Sequence, residues 1–195
     1  MANVCMTDFK VTGSRKAVND LWNTLQKLEV NSKKLWLDEL AKFYGIDYQK
    51  KGISVRGGII CAEYEERVED DFYLLSFSTE TAWSSCTELF EEINHLLWDE
   101  LSISLREIEP GCEIFFVHDE GNWFPHECCV SCSGEPFEEA FAELYESTED
   151  AIKEWCSKMG VEQGTRTNAE MLNFISDFGY EDDDTYFYIN EFVFD

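Results

Sequence analysis

The chain has 195 residues, with 41 Asp or Glu against 15 Lys or Arg and a formal net charge of -26. Its 44% hydrophobic and 15% aromatic content suffices for a core, which excludes global disorder. No apolar run approaches the roughly 18 residues of a membrane span, and the deficit of Lys and Arg excludes direct nucleic-acid binding by phosphate neutralisation.

Val4 to Thr12 mixes apolar and β-branched residues and stops at Gly13, which predicts a strand. Ser14 then caps a helix carrying Ala17, Val18, Leu21, Trp22, Leu25 and Leu28 at helical spacing. Asn31-Ser32 predicts a second helix with Leu35, Trp36, Leu40 and Phe43 on one stripe, ending at Gly45. Ile53 to Glu65 follows as a strand, and Gly57-Gly58 within it predicts a bulge or a close backbone approach. Glu63 to Asp71 reads as an acidic loop or hairpin end, and Phe72 to Ser78 as an inner strand.

A helix entered near Ser84-Ser85 carries Cys86, Leu89, Phe90, Ile93, Leu96 and Leu97. In the strand Leu101 to Ile108, the residues Leu101, Ile103, Leu105 and Glu107 face one way. Pro110-Gly111 predicts a turn. Cys112–His118 and Trp123–Cys132 then predict a hairpin across residues 119–122. Ser133-Gly134-Glu135-Pro136 predicts a helix N-terminus. The helix would carry Phe137, Ala140, Phe141, Leu144, Tyr145, Ala151, Ile152, Trp155 and Met159 on one stripe. Asn168 to Phe178 reads as a short helix and Thr185 to Phe194 as a strand.

The resulting order, β-α-(α)-β-β-α-β-β-β, contains the split β-α-β arrangement of ferredoxin-like folds. The expected class is α+β: an antiparallel ferredoxin-like sheet (βαββαβ core) with extra hairpin strands and an inserted helix. Residues 1–134 would form this domain, and 135–195 an acidic helical and strand extension packed on it. The opening Ala2-Asn3-Val4-Cys5, the strand end Val11-Thr12-Gly13, the stretch Leu75–Ser84 and the segment Arg106–Gly111 resemble the YubB-type ferredoxin-like proteins. The likeness spans residues 2–13 and 74–134; Ser85 and Cys86 stand where that family carries a proline. The resemblance implies the ferredoxin-like sheet and an origin on plasmids, phages or integrated elements. It implies no activity and therefore no catalytic residue.

Charge is unevenly divided. Residues 1–60 hold 10 Lys/Arg and 6 Asp/Glu, residues 61–134 hold 2 and 18, and residues 135–195 hold 3 and 17. The expected partner-binding face consists of Glu138, Glu139, Glu143, Glu146, Glu149, Asp150 and Glu154 on the outer side of the long helix, joined by Glu181, Asp182, Asp183 and Asp184. The plainer reading of such carboxylates is a solubilising surface. Duplex DNA carries one charge per roughly 1.7 Å, so 26 charges match about 44 Å of duplex. That is comparable with twice a gyration radius of about 16 Å, so imitation of DNA is a coherent expectation. Trp83 and Trp123 are aromatic interaction candidates, with core packing as the plainer alternative.

His126, Cys128, Cys129 and Cys132 form the candidate metal or thiol site, because Cys129 and Cys132 have C-x-x-C spacing. In a strand, Cys128 and Cys132 would share one face and Cys129 the other. A Cys–His enzyme using His118 or His126 is a second reading, and a homo-oligomer pairing through the strand 185–194 a third. His118, Asp119 and Glu120 fall in a predicted turn, where polar residues need no special reason. The polar start Met1-Ala2-Asn3 predicts no export signal and hence a cytoplasmic protein with reduced thiols. The expectation is a non-enzymatic binding protein without cofactor, acting as monomer or homodimer. Its partner would be a basic protein, neither nucleic acid nor membrane.

Overall fold

The computed structural model describes residues 3–31 and 35–195. Among them are six helices and ten strands in an α+β arrangement. The chain divides into two compact units, one of residues up to Phe124 together with Phe194–Asp195, the other Pro125–Val193. The expected boundary at 134 therefore moves to before the cysteine strand, because that strand pairs only with later strands.

In the first unit, β1 (Val4–Gly13) alternates along its length, turning Cys5, Thr7, Phe9 and Val11 inward. Helix α1 (Arg15–Asn31) follows, and Ser14 Oγ accepts its Ala17 N–H at 3.2 Å, as a cap should. The expected helix over 31–45 is corrected. Asn31 closes α1, Leu35–Trp36 form the short β2, and α2 spans Leu37–Phe43. Leu35 and Trp36 pair with Ile59 and Gly58, so their backbone groups are claimed by a sheet edge. The Ser32 start signal lies outside the described residues. After α3 (Tyr48–Lys51), β3 (Gly57–Arg67) pairs with β4 (Phe72–Ala82).

A Cβ at Gly57 would stand 2.3 Å from the Glu80 carbonyl oxygen, the close approach the paired glycines announced. The register shifts between Ile59 and Cys61. The acidic stretch 63–67 is strand rather than loop, and only Val68–Asp70 forms the turn. Then come α4 (Thr87–Leu96), β5 (Leu101–Glu109) and β6 (Ile114–His118).

The sheet order is β10-β6-β5-β1-β4-β3-β2, where β10 is Val193–Phe194. The pairings β3–β4, β4–β1, β1–β5 and β5–β6 are all antiparallel. Inner residues of α1, α2 and α4 pack with Phe9, Val11, Leu75, Phe77, Leu101 and Leu105 in one core. At its centre the rings of Phe9, Phe77 and Phe90 lie 4.6–5.0 Å apart. Burying each contributes about 1.5–3 kcal/mol.

The second unit is a three-stranded antiparallel sheet, β8-β7-β9, with two helices. Its strands are β7 (Cys128–Ser133), β8 (Ala140–Tyr145) and β9 (Tyr186–Glu191); its helices are α5 (Thr148–Met159) and α6 (Asn168–Ser176). Two expectations fail here. Strands β6 and β7 belong to different sheets, so the 112–132 hairpin does not form. The single helix over 137–159 is a strand followed by a helix. The apolar spacing of 140–145 satisfies period two as well as period 3.6. Ala140, Ala142 and Leu144 are half-buried while Phe141 and Glu143 are exposed, and β7 supplies the pairing partner. Ser147 then starts the helix, its Oγ accepting the Asp150 N–H at 3.1 Å.

Trp155 is fully buried at the centre of the second core, among Cys128, Val130, Cys132, Phe137, Ile152, Met171, Ile175 and Phe187. Its Nε1–H donates to the Tyr180 hydroxyl at 2.9 Å. Among the described residues no helix is long and apolar enough to cross a membrane.

Candidate functional site

The second unit carries 17 Asp or Glu against Lys153, Lys158 and Arg166. Breaking the expected helix in two redistributes its carboxylates. Glu138 and Glu139 precede β8, Glu143 lies in it and Glu146 follows it, all four exposed. Glu149 and Asp150 occupy the first turn of α5, where a negative charge complements the helix dipole. Lys153 bridges both, at 2.7 and 3.4 Å. The Ser147 hydroxyl and then Lys153 hold the Asp150 carboxyl below its ordinary range. Glu154 is half-buried and accepts from the Tyr145 hydroxyl. Burial, then this carboxylate, pushes the Tyr145 phenol well up.

Glu181, Asp182, Asp183 and Asp184 are exposed in the turn before β9. Asp182 shapes that turn: its Oδ1 accepts the Asp184 N–H and its carbonyl the Thr185 N–H, each at 3.0 Å. Asp182 and Asp183 line a recess of about 270 Å³ together with Phe178, Tyr180, Tyr186 and Tyr188. Tyr186 and Tyr188 stack with centroids 5.2 Å apart, and Tyr188 is 54% exposed. Among the described residues no Lys or Arg lines this recess. Burial pushes the Tyr180 phenol up, and its hydroxyl oxygen accepts the Trp155 N–H. Stacked electron-rich rings beside two carboxylates are suited to an organic cation. Sequence reasoning found the acidic run and missed the tyrosines. The signal was there, in Tyr186-x-Tyr188 alternation directly after the aspartates.

The cysteine cluster is not assembled as a site. Cys128 and Cys132 face the second core and Cys129 does not belong to it, as strand alternation dictates. Burial drives the Cys128 thiol up to about 11 and raises that of Cys132, so both are neutral thiols and poor nucleophiles. His126 is half-buried, and its Nδ1 is buried without a hydrogen-bond partner. Among the described residues no group of three or more His, Cys, Asp or Glu is arranged to hold a metal ion.

Trp83 is 48% exposed, at a positive φ of 78°. Trp123 is half-buried with its ring 6.3 Å from Phe72. Asp119 is structural: its carboxylate accepts the Phe124 N–H at 2.7 Å and the Gly121 N–H at 3.0 Å. Against the upward pull of burial, such backbone donors hold it below its ordinary value. Among the described residues the edge strand β9 pairs with β7 on one side only.

These features define an acidic α+β protein with an aromatic, carboxylate-lined recess. No family model matches the chain, and no curated protein or solved structure matches it.

Proposed function

We propose that this is a non-enzymatic binding protein that engages a basic protein surface, with the recess at Asp182, Asp183, Tyr186 and Tyr188 receiving a Lys or Arg side chain. The observation that carries the reading is the stacked tyrosine pair beside two carboxylates on a unit with 17 acidic and 3 basic residues. A cation over an exposed aromatic face gains about 0.5–1 kcal/mol, and about 2 when desolvated. Surrounding carboxylates add long-range attraction and accelerate encounter. The imitation of DNA is the case in which the basic surface is one that otherwise holds duplex DNA; competition between the chain and a duplex for that partner tests it.

We further infer a ferredoxin-like core, β1-α1-β3-β4-α4-β5. Supporting it are the order β5-β1-β4-β3, the antiparallel pairings and the placement of α1 and α4 residues in one core. The resemblance to YubB-type proteins supplies the mobile-element setting for this reading, in which a host DNA-handling protein is a natural basic partner.

Titration with an arginine-containing peptide, monitored by tyrosine fluorescence, tests the recess. Saturable binding that Tyr188→Ala weakens supports the assignment. Equal binding by the Tyr188→Ala variant refutes it.

A further inference from the structure

A second cavity, wholly within the first unit, has a different chemistry. It measures about 490 Å³ and lies between α4 and the strands β5 and β6, within the usual size range of small-molecule sites. Leu101, Ile103, Leu105 and Phe116 give it an apolar floor, and its charged groups are Glu91, Glu107, Glu120, Asp195 and the imidazole of His118. Among the described residues no Lys or Arg lines it.

Glu107 is the informative residue. It is only 8% exposed, yet it lines the cavity. Its two protein donors, the Cys5 thiol at 3.3 Å and the Ser85 N–H at 2.9 Å, both go to Oε1. A carboxylate on the wall of a partly apolar cavity favours a cation beside it, and Arg106, the neighbour on β5, is committed to Asp8 at 2.7 Å.

The other acidic end is built by β6, the turn after it and the C-terminal Asp195. His118 pairs with Leu105, and Phe116 with Glu107. The Ser102 hydroxyl holds Glu120 at 2.5 Å, while His118 stands 3.7 Å from Asp195 and 4.0 Å from Glu120. His118, with Glu120 and Asp195 beside it, belongs to the Leu105 level, two residues of β5 or about 7 Å of strand from Glu107. Asn94 fixes the helix to the start of that strand, donating to the Leu101 carbonyl and accepting the Leu101 N–H, both at 2.9 Å.

We propose that this cavity binds an aliphatic di- or polyamine, one ammonium on Glu107 and another near Glu120 and Asp195, with its methylenes on Ile103, Leu105 and Phe116. A divalent metal ion would want converging oxygens at about 2.0–2.6 Å and no apolar floor. A monoamine could satisfy only one acidic end. The site is independent of the recess on the second unit.

Calorimetric titration of the full chain with spermidine, n-butylamine and magnesium chloride at one ionic strength tests this. The expected result is a single spermidine site, at least about tenfold tighter than for butylamine, that magnesium does not displace. Glu107→Gln is expected to weaken spermidine by about tenfold. Should that variant lose its native near-ultraviolet dichroism, Ile103→Lys, which places a tethered ammonium on the cavity floor, provides the reading and is expected to abolish binding. The charge-matched Glu162→Gln on the second unit should leave spermidine binding unchanged. Several equivalent weak sites, displacement by magnesium, or indifference to Ile103→Lys would overturn the proposal.

Discussion

Tyr186 and Tyr188 stand two residues apart on one face of β9 and stack at 5.2 Å, with their planes 22° from parallel. The stack stands beside Asp182 and Asp183 at the rim of the same recess. An aromatic face and an anionic rim reinforce each other toward a cation, because the ring quadrupole and the carboxylates attract the same charge.

The ring, rather than the hydroxyl, is the recognising group at Tyr188. Tyr188→Phe is therefore expected to bind an arginine-containing peptide within about twofold of the native chain, and Tyr188→Ala about tenfold more weakly. Fluorescence titration of the three proteins checks this, and a loss equal in both variants would assign the role to the hydroxyl.

Trp155 is the keystone of the second core. Phe174 and Phe178 present near-perpendicular rings at 5.8 and 5.1 Å, and Tyr180 takes its indole N–H. Trp155→Ala should cost about 3–5 kcal/mol through the cavity it leaves. Urea unfolding measures it; a loss under about 1 kcal/mol would place the tryptophan outside the cooperative core.

The α5 cap is a smaller, local test. Ser147 Oγ accepts the Asp150 N–H at 3.1 Å and donates to Asp150 Oδ2 at 2.7 Å. Ser147→Ala should destabilise by about 1 kcal/mol, and Ser147→Asp should retain most of the cap. Chemical denaturation of the pair decides it, since equal losses would mean that the capping oxygen contributes nothing.

Buried thiols set the alkaline limit. Burial raises Cys5 from an ordinary 9.0 to about 12, helped by the Glu107 charge. The neutral thiol therefore favours the folded state. Its contribution is fully present below pH 9 and is lost as pH rises toward 12, where the unfolded thiol ionises first. The expected outcome is a fall in urea midpoint across this window that Cys5→Ala makes shallower. Alkylation of native Cys5 by iodoacetamide at about pH 8, as fast as that of the exposed Cys61, would contradict the burial on which this rests.

Much of the first unit was legible in sequence because its signals do not conflict. Ser14 caps, Gly57 marks the close strand approach, and the alternation of Leu101, Ile103, Leu105 and Glu107 places a carboxylate on the inner face. The second unit was harder for a physical reason. In Ala140–Tyr145 the apolar residues satisfy both helical and strand periods, and the deciding factor is pairing with β7, a tertiary event. The short β2 was hidden likewise, since Leu35 and Trp36 fit a helical stripe until Ile59 and Gly58 claim their backbone. Local patterns also predicted a hairpin from 112 to 132, but neighbouring strands in sequence joined different sheets. Of the candidate site, the aspartates were visible from composition. The stacked rings beside them required the register of β9.

Affinity for an arginine-rich peptide, measured against ionic strength for the native chain and for Asp182→Asn/Asp183→Asn, tests the charge-driven recognition most directly. Between about 50 and 500 mM salt the native chain is expected to weaken by at least about tenfold, with a visibly shallower dependence in the double variant. Affinity that stays constant over that range, or identical salt dependence in the two proteins, would contradict recognition of a cation by these carboxylates.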